Sequence, residues 1–329
     1  MDASQRSPSP IPLTPIEPTG ARRRSARSVD AAQQASYSTA FSRIEAAVAS
    51  TCGSQHARNE DAHSDLEAGG HLFVVADGVG GGALAQMASR VLVEELHGTL
   101  AEHRLDPERV GHAVLEADRT IARAIAKQTD RPGAATLVLC APVDLFASRW
   151  LVGWVGDCRA YRLALGDETG PSPLTRDDTF RALGEAPPPG GSLDDPARMV
   201  GNGATAGASV AIHDLEIGDV LALCSDGVHK HLAPDDWGRL LRQPLSLARR
   251  CDALIAAARE RGSVDDATVL LLQRTRFGMR RPRWIARIGE RSGGPGAGTD
   301  RGHDNDRTNG TGTGQGHDSD SDSDSGGRP

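Results

Sequence analysis

Four short acidic turns carry the chemistry open to this chain of 329 residues: Asp77-Gly78, Gly156-Asp157, Asp226-Gly227 and Asp265-Asp266. Each stands where an apolar, strand-like run meets a turn. In the clearest case Leu72-Phe73-Val74-Val75-Ala76 ends abruptly on Asp77 and enters the glycine cluster Gly78-Val79-Gly80-Gly81-Gly82. A carboxylate fixed at a strand end beside accessible backbone carbonyls suits a hard cation, and glycine lets the backbone approach closely. Carboxylates at four strand ends can converge on one edge of a sheet. Buried together they would be costly unless divalent cations neutralised them. Oxygen ligands without His or Cys favour Mg²⁺ or Mn²⁺ over zinc. Two such ions can polarise a phosphoryl oxygen and deprotonate a bridging water. A two-metal phosphohydrolase follows from the residue types, and the competing reading is a set of unrelated surface Asp-Gly turns.

The elements that must position these turns are legible in outline. Leu84, Met87, Ala88, Val91, Leu92, Leu96 and Leu100 recur at helical spacing, which predicts a helix over 83–100. Asp106-Pro107 reads as an N-cap with proline at the first helical position, opening a second helix through Val110, Ala113, Val114, Ala117, Ile121 and Ile125. Short β-rich runs follow at 136–140, 150–155 and 159–163, and Gly156-Asp157-Cys158 between the last two predicts a hairpin. Residues 166–208 are long for a structureless connection and contain Pro187-Pro188-Pro189-Gly190-Gly191, which predicts either a functional flap or a partly ordered segment. A strand over 220–224 runs into Ser225-Asp226-Gly227. Helices are expected over 234–241 and 247–259, and a last strand over 267–272.

Both ends differ in composition from this middle. Residues 1–40 are rich in Ser and Pro and then Arg, with too little apolar surface to offset ordering entropy, and predict a disordered arm. Residues 274–291 form a basic segment crowded with Arg. Residues 292–329 are a Gly/Asp/Ser tail expected to be disordered. The net charge of −7 gives no overall nucleic-acid footprint, although the acidic tail hides the basic segment. The five cysteines, Cys52, Cys140, Cys158, Cys224 and Cys251, are odd in number and lack CxxC spacing. That argues against a disulfide framework and a zinc knuckle and for reduced, buried thiols. No run approaches the roughly 18 apolar residues of a membrane span, and the N-terminus lacks an apolar signal core. A cytoplasmic protein is expected.

In order and wording these motifs resemble the metal-dependent PPM family of protein phosphatases, the protein phosphatase 2C family, in its bacterial form. The matching pieces are Asn59-Glu60-Asp61-Ala62, Ala76-Asp77-Gly78-Val79-Gly80-Gly81, Gly156-Asp157-Cys158-Arg159-Ala160-Tyr161, Cys224-Ser225-Asp226-Gly227-Val228 and Asp265-Asp266-Ala267-Thr268-Val269. The resemblance implies an α+β fold, an αββα sandwich of two antiparallel sheets flanked by helices, within a domain over 41–273. It implies two ions, Mn²⁺ or Mg²⁺, with Asp77 bridging both and the Gly78 carbonyl on the first. Asp226 and Asp265 would complete the second, and Asp157 would serve a looser third ion. Glu60 and Asp61 would act through bound waters. The implied reaction is single-step hydrolysis of phosphoserine or phosphothreonine in proteins by a metal-activated water, opposing a Ser/Thr kinase, with residues 175–205 as the flap.

The chain departs from the family pattern in places. An arginine usually stands four residues before the motif glutamate, where it grips the substrate phosphate in a bidentate fork. Here that position is His56, and Arg58 is the candidate to take over. The motif's final Asn is Asp266, which keeps an oxygen ligand and adds charge. These departures leave open an alternative, a catalytically weak or inactive phosphatase-like module that binds phosphoproteins and regulates signalling.

Overall fold

The computed structural model describes residues 32–276 apart from 101–104, 130, 165, 167–169, 204 and 206. Two antiparallel sheets stack face to face. Strands β1 (Gln33–Ser38), β2 (Ser42–Thr51), β7 (Arg159–Leu163), β8 (Ser172–Pro173), β10 (Val220–Cys224) and β11 (Ala267–Arg276) form one sheet in the order β1-β2-β11-β10-β7-β8. Strands β3 (Asp61–His63), β4 (Phe73–Val79), β5 (Ala134–Pro142), β6 (Arg149–Val155) and β9 (Ser209–Asp214) form the other in the order β3-β4-β5-β6-β9.

The central strands read as unbroken apolar runs because both of their faces are covered. Alternate residues go to opposite sides: Phe73 and Val75 of β4 face the other sheet, meeting Leu221, Leu223, Leu270 and Leu272. Val74 and Ala76 face helices α1 (Ala83–Leu100) and α2 (Pro107–Ala126). The same division on the larger sheet sends Ala222, Cys224, Val269 and Leu271 toward α5 (Pro234–Leu241) and α6 (Leu247–Glu260). Trp150 fills the space between the sheets and donates its indole N–H to the Ala147 carbonyl at 2.9 Å. Burying side chains of this size contributes roughly 1.5–3 kcal/mol each. The expected αββα sandwich is the observed architecture.

The helices form where their spacing predicts. The Asp106 carboxylate caps α2 by accepting from the Arg109 N–H at 2.9 Å, and Val110, Val114, Ala117 and Ile121 face the core. On α1 the buried stripe is Ala85, Ala88, Leu92, Leu96 and Leu100, with Leu84, Met87 and Val91 packed at its edge.

Three expectations require correction. The hairpin over Gly156-Asp157-Cys158 does not form: β6 belongs to the smaller sheet and β7 to the larger, so this turn carries the chain across the sandwich. Gly156 makes the crossing with φ +90°, and a Cβ there would lie 2.5 Å from Thr136 Cγ2. The arm predicted over 1–40 contains β1, an edge strand paired along its length with β2. Finally, β11 continues through Arg276, and Arg274, assigned to the basic segment, is buried with its guanidinium on the carbonyls of Leu215 and Phe146. Residues 1–31, the rest of the basic segment and the Gly/Asp/Ser tail lie outside the described residues. Among the described residues no helix is long and apolar enough to cross a membrane.

Candidate metal centre

The acidic turns meet at one end of the sandwich. Asp61 at the start of β3 and Asp77 in β4 are direct partners in the ladder between these strands. The short helices α3 (Phe180–Leu183) and α4 (Asp226–His229) follow β8 and β10, Asp226 opening α4, and Asp265 lies just before β11. Asp157 sits in the crossing turn. A cavity of about 240 Å³ is lined by Glu60, Asp77, Gly78, Asp157, Asp226 and Asp265, together with His56, Lys230 and the flap residues Asp195 and Pro196.

Gly78 fits because nothing larger would. A Cβ there would lie 2.3 Å from the Ala85 carbonyl oxygen at the start of α1, and its own N–H donates to the Glu60 carbonyl at 3.2 Å. The helix start therefore seats directly on the strand, and Gln86 and Ser89 hold the carbonyls of Asn59 and Glu60. Glu60 is fixed in turn, one carboxylate oxygen accepting from the Gly82 N–H.

The electrostatics are those of crowded anions. Burial pushes the Asp61 carboxyl up to about 8, against hydrogen bonds from Thr268 and Ser225 that favour its charge. Asp77 is raised well above the ordinary carboxylate range by burial and then by the charges of Asp61, Asp226, Asp157 and Asp265. Burial and the charge of Asp226 push Asp157 up to about 6. For Asp226 burial acts upward, but the Lys230 ammonium outweighs it and holds the carboxyl below its ordinary value. Lys230 Nζ lies 2.7 Å from Asp226 Oδ2 and 2.9 Å from Asp157 Oδ2.

Asp61 Oδ2 accepts from Ser225 Oγ at 2.8 Å and Thr268 Oγ1 at 2.7 Å. Its Oδ1, and likewise Asp226 Oδ1, is buried without a hydrogen-bond partner. Buried polar atoms are normally satisfied, and two partnerless carboxylate oxygens among raised carboxyls are an arrangement that a cation resolves. The donors are all oxygen, which fits Mg²⁺ or Mn²⁺.

Asp266 does not join this set as an open ligand. Its Oδ1 accepts from the Gly53 N–H at 2.6 Å, and its Oδ2 accepts from the Glu60 N–H at 2.6 Å and meets His56 Nδ1 at 3.0 Å. The most compact His and acid grouping among the described residues is His56, Asp265 and Asp266. Because the Asp266 oxygens are already taken by backbone N–H groups, we read this trio as a brace for the loop over 53–60. Burial alone would lower the His56 pKa, but the Asp266 hydrogen bond and nearby carboxylates raise it.

Arg58 is not brought to the cavity. It is exposed, on a bend, and does not line the cavity. Sequence reasoning missed Lys230, which stands between His229 and His231 just after the third acidic turn. It also missed Arg259, whose guanidinium joins the Asp265 carbonyl to the carbonyls of Thr51 and Cys52. Its position in the last turn of an exposed-looking helix gave no sign of this. Beside the turns, His229 is buried, with Nε2 2.8 Å from the Asp157 carbonyl, and Cys158 and Cys224 are buried.

Comparison with known proteins bears on the family and the fold. The serine/threonine protein phosphatase PstP of Mycobacterium tuberculosis is 29% identical over 234 residues, which covers 67% of this chain. The chain spans less than half of that relative, 43% of its length. A crystal structure of the catalytic domain of PstP in complex with two manganese ions superposes with a TM-score of 0.60 at 24% identity, covering 71% of this chain and 99% of that one. PppA, a regulatory component of the type VI secretion system in Pseudomonas aeruginosa, superposes equally well, TM-score 0.60 at 26% identity over 70% of this chain and 97% of that one. The family model for protein phosphatase 2C matches residues 50–262, a span that contains Glu60, Asp61, Asp77, Asp157 and Asp226, the whole smaller sheet and strands β7, β8 and β10 of the larger, and that ends just before Asp265. With that match added to the sandwich and its acidic end, this chain belongs to the protein phosphatase 2C family.

Proposed function

We propose that this protein is a metal-dependent serine/threonine protein phosphatase. The observation that carries the reading is the buried, partnerless Asp226 Oδ1 in a cavity walled by further carboxylates, with a second such oxygen, Asp61 Oδ1, on the ladder partner of Asp77. Asp77, the Gly78 carbonyl, Asp226 and Asp265 would hold two ions, manganese or magnesium. Bound there, such ions supply Lewis-acid polarisation of a phosphoryl oxygen and a nucleophile at neutral pH.

The chain's own residues have distinct tasks. Ser225 and Thr268 fix one oxygen of Asp61, so that its other oxygen is held in place. Thr268 is supported in turn by Ser50 at 2.7 Å, and Ser50 by Asn59 at 2.7 Å, which gives the motif asparagine a positioning role. Glu60, tied through Gly82, faces the cavity as an acceptor for a water proton. His56 is the basic side chain on the side of the absent family arginine, and the Asp266 bond orients its ring. Asp195 and Pro196 bring the flap to the cavity, where it can contact residues flanking a phosphorylated side chain.

The substrates are phosphoserine and phosphothreonine proteins, set against a cognate Ser/Thr kinase in the cytoplasm. The test is Mn²⁺-dependent release of phosphate from a phosphothreonine peptide and from p-nitrophenyl phosphate. Turnover should fall at least about a hundredfold in Asp77→Asn and Asp226→Asn, the scale of losing a principal electrostatic group. A folded wild-type protein that binds phosphopeptide with Mn²⁺ present and releases no phosphate would overturn the reading.

A further inference from the structure

We propose that Lys230 is a built-in cation that takes the place of the third metal ion at Asp157, so that the centre holds two ions. The inference rests on the metal-dependent reading above and concerns how many ions this chain takes. Lys230 follows Asp226 by four residues, and its N–H closes the helical turn on the Asp226 carbonyl at 3.1 Å. That spacing brings its side chain back over Asp226, where Nζ bridges Asp226 Oδ2 and Asp157 Oδ2 at 2.7 and 2.9 Å.

Asp157 is gripped twice by successive residues of this turn. His229 Nε2 takes its backbone carbonyl at 2.8 Å and Lys230 takes its carboxylate. The Asp157 side chain is only 3% exposed. A third ion at Asp157 would have to displace the ammonium or accept a positive charge within bonding distance of its ligand, and charges of like sign at that range repel. Asp226 shares this ammonium only through Oδ2, and its buried Oδ1 is left without a partner for an ion of the main site. Lysine suits the task because its ammonium is a compact charge with three donors.

The experiment is Mn²⁺ binding to the full chain, counted by isothermal titration and by equilibrium dialysis, in wild type, Lys230→Ser and Lys230→Arg. Wild type and Lys230→Arg are expected to take two ions. Lys230→Ser, which leaves both carboxylates without the ammonium, is expected to gain a third, weaker site. A third ion in wild type, or Lys230→Ser folded by circular dichroism and still at two, overturns the role of Lys230 alone. A wild-type chain that binds no Mn²⁺ overturns the metal reading and this inference with it.

Discussion

Asp61 and Asp77 stand directly opposite each other in the ladder of β3 and β4. Like charges opposed across a ladder are destabilising, and here both are crowded by further carboxylates. The fold keeps this cost in place at the point where ions would remove it. Asp77→Asn is therefore expected to raise the melting temperature of the metal-free protein while abolishing its response to Mn²⁺. At an ion concentration about 100 times Kd, binding stabilises wild type by about 2.7 kcal/mol, or roughly 5–10 °C for a domain of this size. Thermal melts with EDTA and with Mn²⁺ measure both effects.

The same crowding sets a pH dependence. Asp61 at about 8 and Asp157 at about 6 hold protons in the folded state that the unfolded chain, with carboxyls at 3.8, releases earlier. The stability they provide is full below about pH 4 and is lost as pH rises through 6 and then 8. Asp226, held low by Lys230, acts in the opposite sense only below its ordinary range. Below about pH 6.5 the buried His229, pushed down to about 4 chiefly by burial, works the other way, so the clean comparison lies above it: in EDTA the protein should melt at a lower temperature at pH 8 than at pH 7. Saturating Mn²⁺ should shrink that difference, because an ion takes over the proton's role. A metal-free protein that is more stable at pH 8 would contradict the assignment.

How much of this was legible follows from what alternation encodes. The strands over 150–155 and 159–163 could be read, but their partners could not: Trp150 to Val155 and Arg159 to Leu163 would look the same in a hairpin as in two sheets. β1 escaped notice because it is a sheet edge, with Gln34 and Ser36 exposed and Gln33 half-exposed, where few apolar residues are needed. The carboxylates were visible because each follows a strand and precedes a turn. The positive groups around them were not, because Lys230 and Arg259 act through contacts set by tertiary packing, 73 residues from Asp157 in the first case. Asp266 looked like a ligand in sequence, and only its three contacts show it holding the loop instead.

The thiols offer a direct test of the fold. Cys140, Cys158, Cys224 and Cys251 are buried, and burial pushes each thiol up, which disfavours the reactive thiolate. Cys52 is half-exposed. Ellman's reagent should modify one thiol in the native protein and all five in guanidinium. Fast native modification of Cys158, which sits in the crossing turn beside Asp157, would show that the turn is open.

Asp266 is where one side chain supports the most structure around the centre. It is 2% exposed and accepts from the backbone N–H groups of Gly53 and Glu60 as well as meeting His56. Replacing it with Ala leaves two buried donors unsatisfied, at about 1–3 kcal/mol each. The loop that carries Glu60 would lose its anchor to the start of β11. Asp266→Ala is thus expected to lower stability by roughly 2–5 kcal/mol in urea unfolding, with a weaker Mn²⁺ response. Asp266→Asn keeps one carbonyl oxygen, and the NH₂ that replaces the other oxygen faces a backbone donor, so an intermediate loss is expected. If Asp266 were an open metal ligand instead of a brace, Asp266→Ala would spare the metal-free stability and remove Mn²⁺ binding, the reverse of this order.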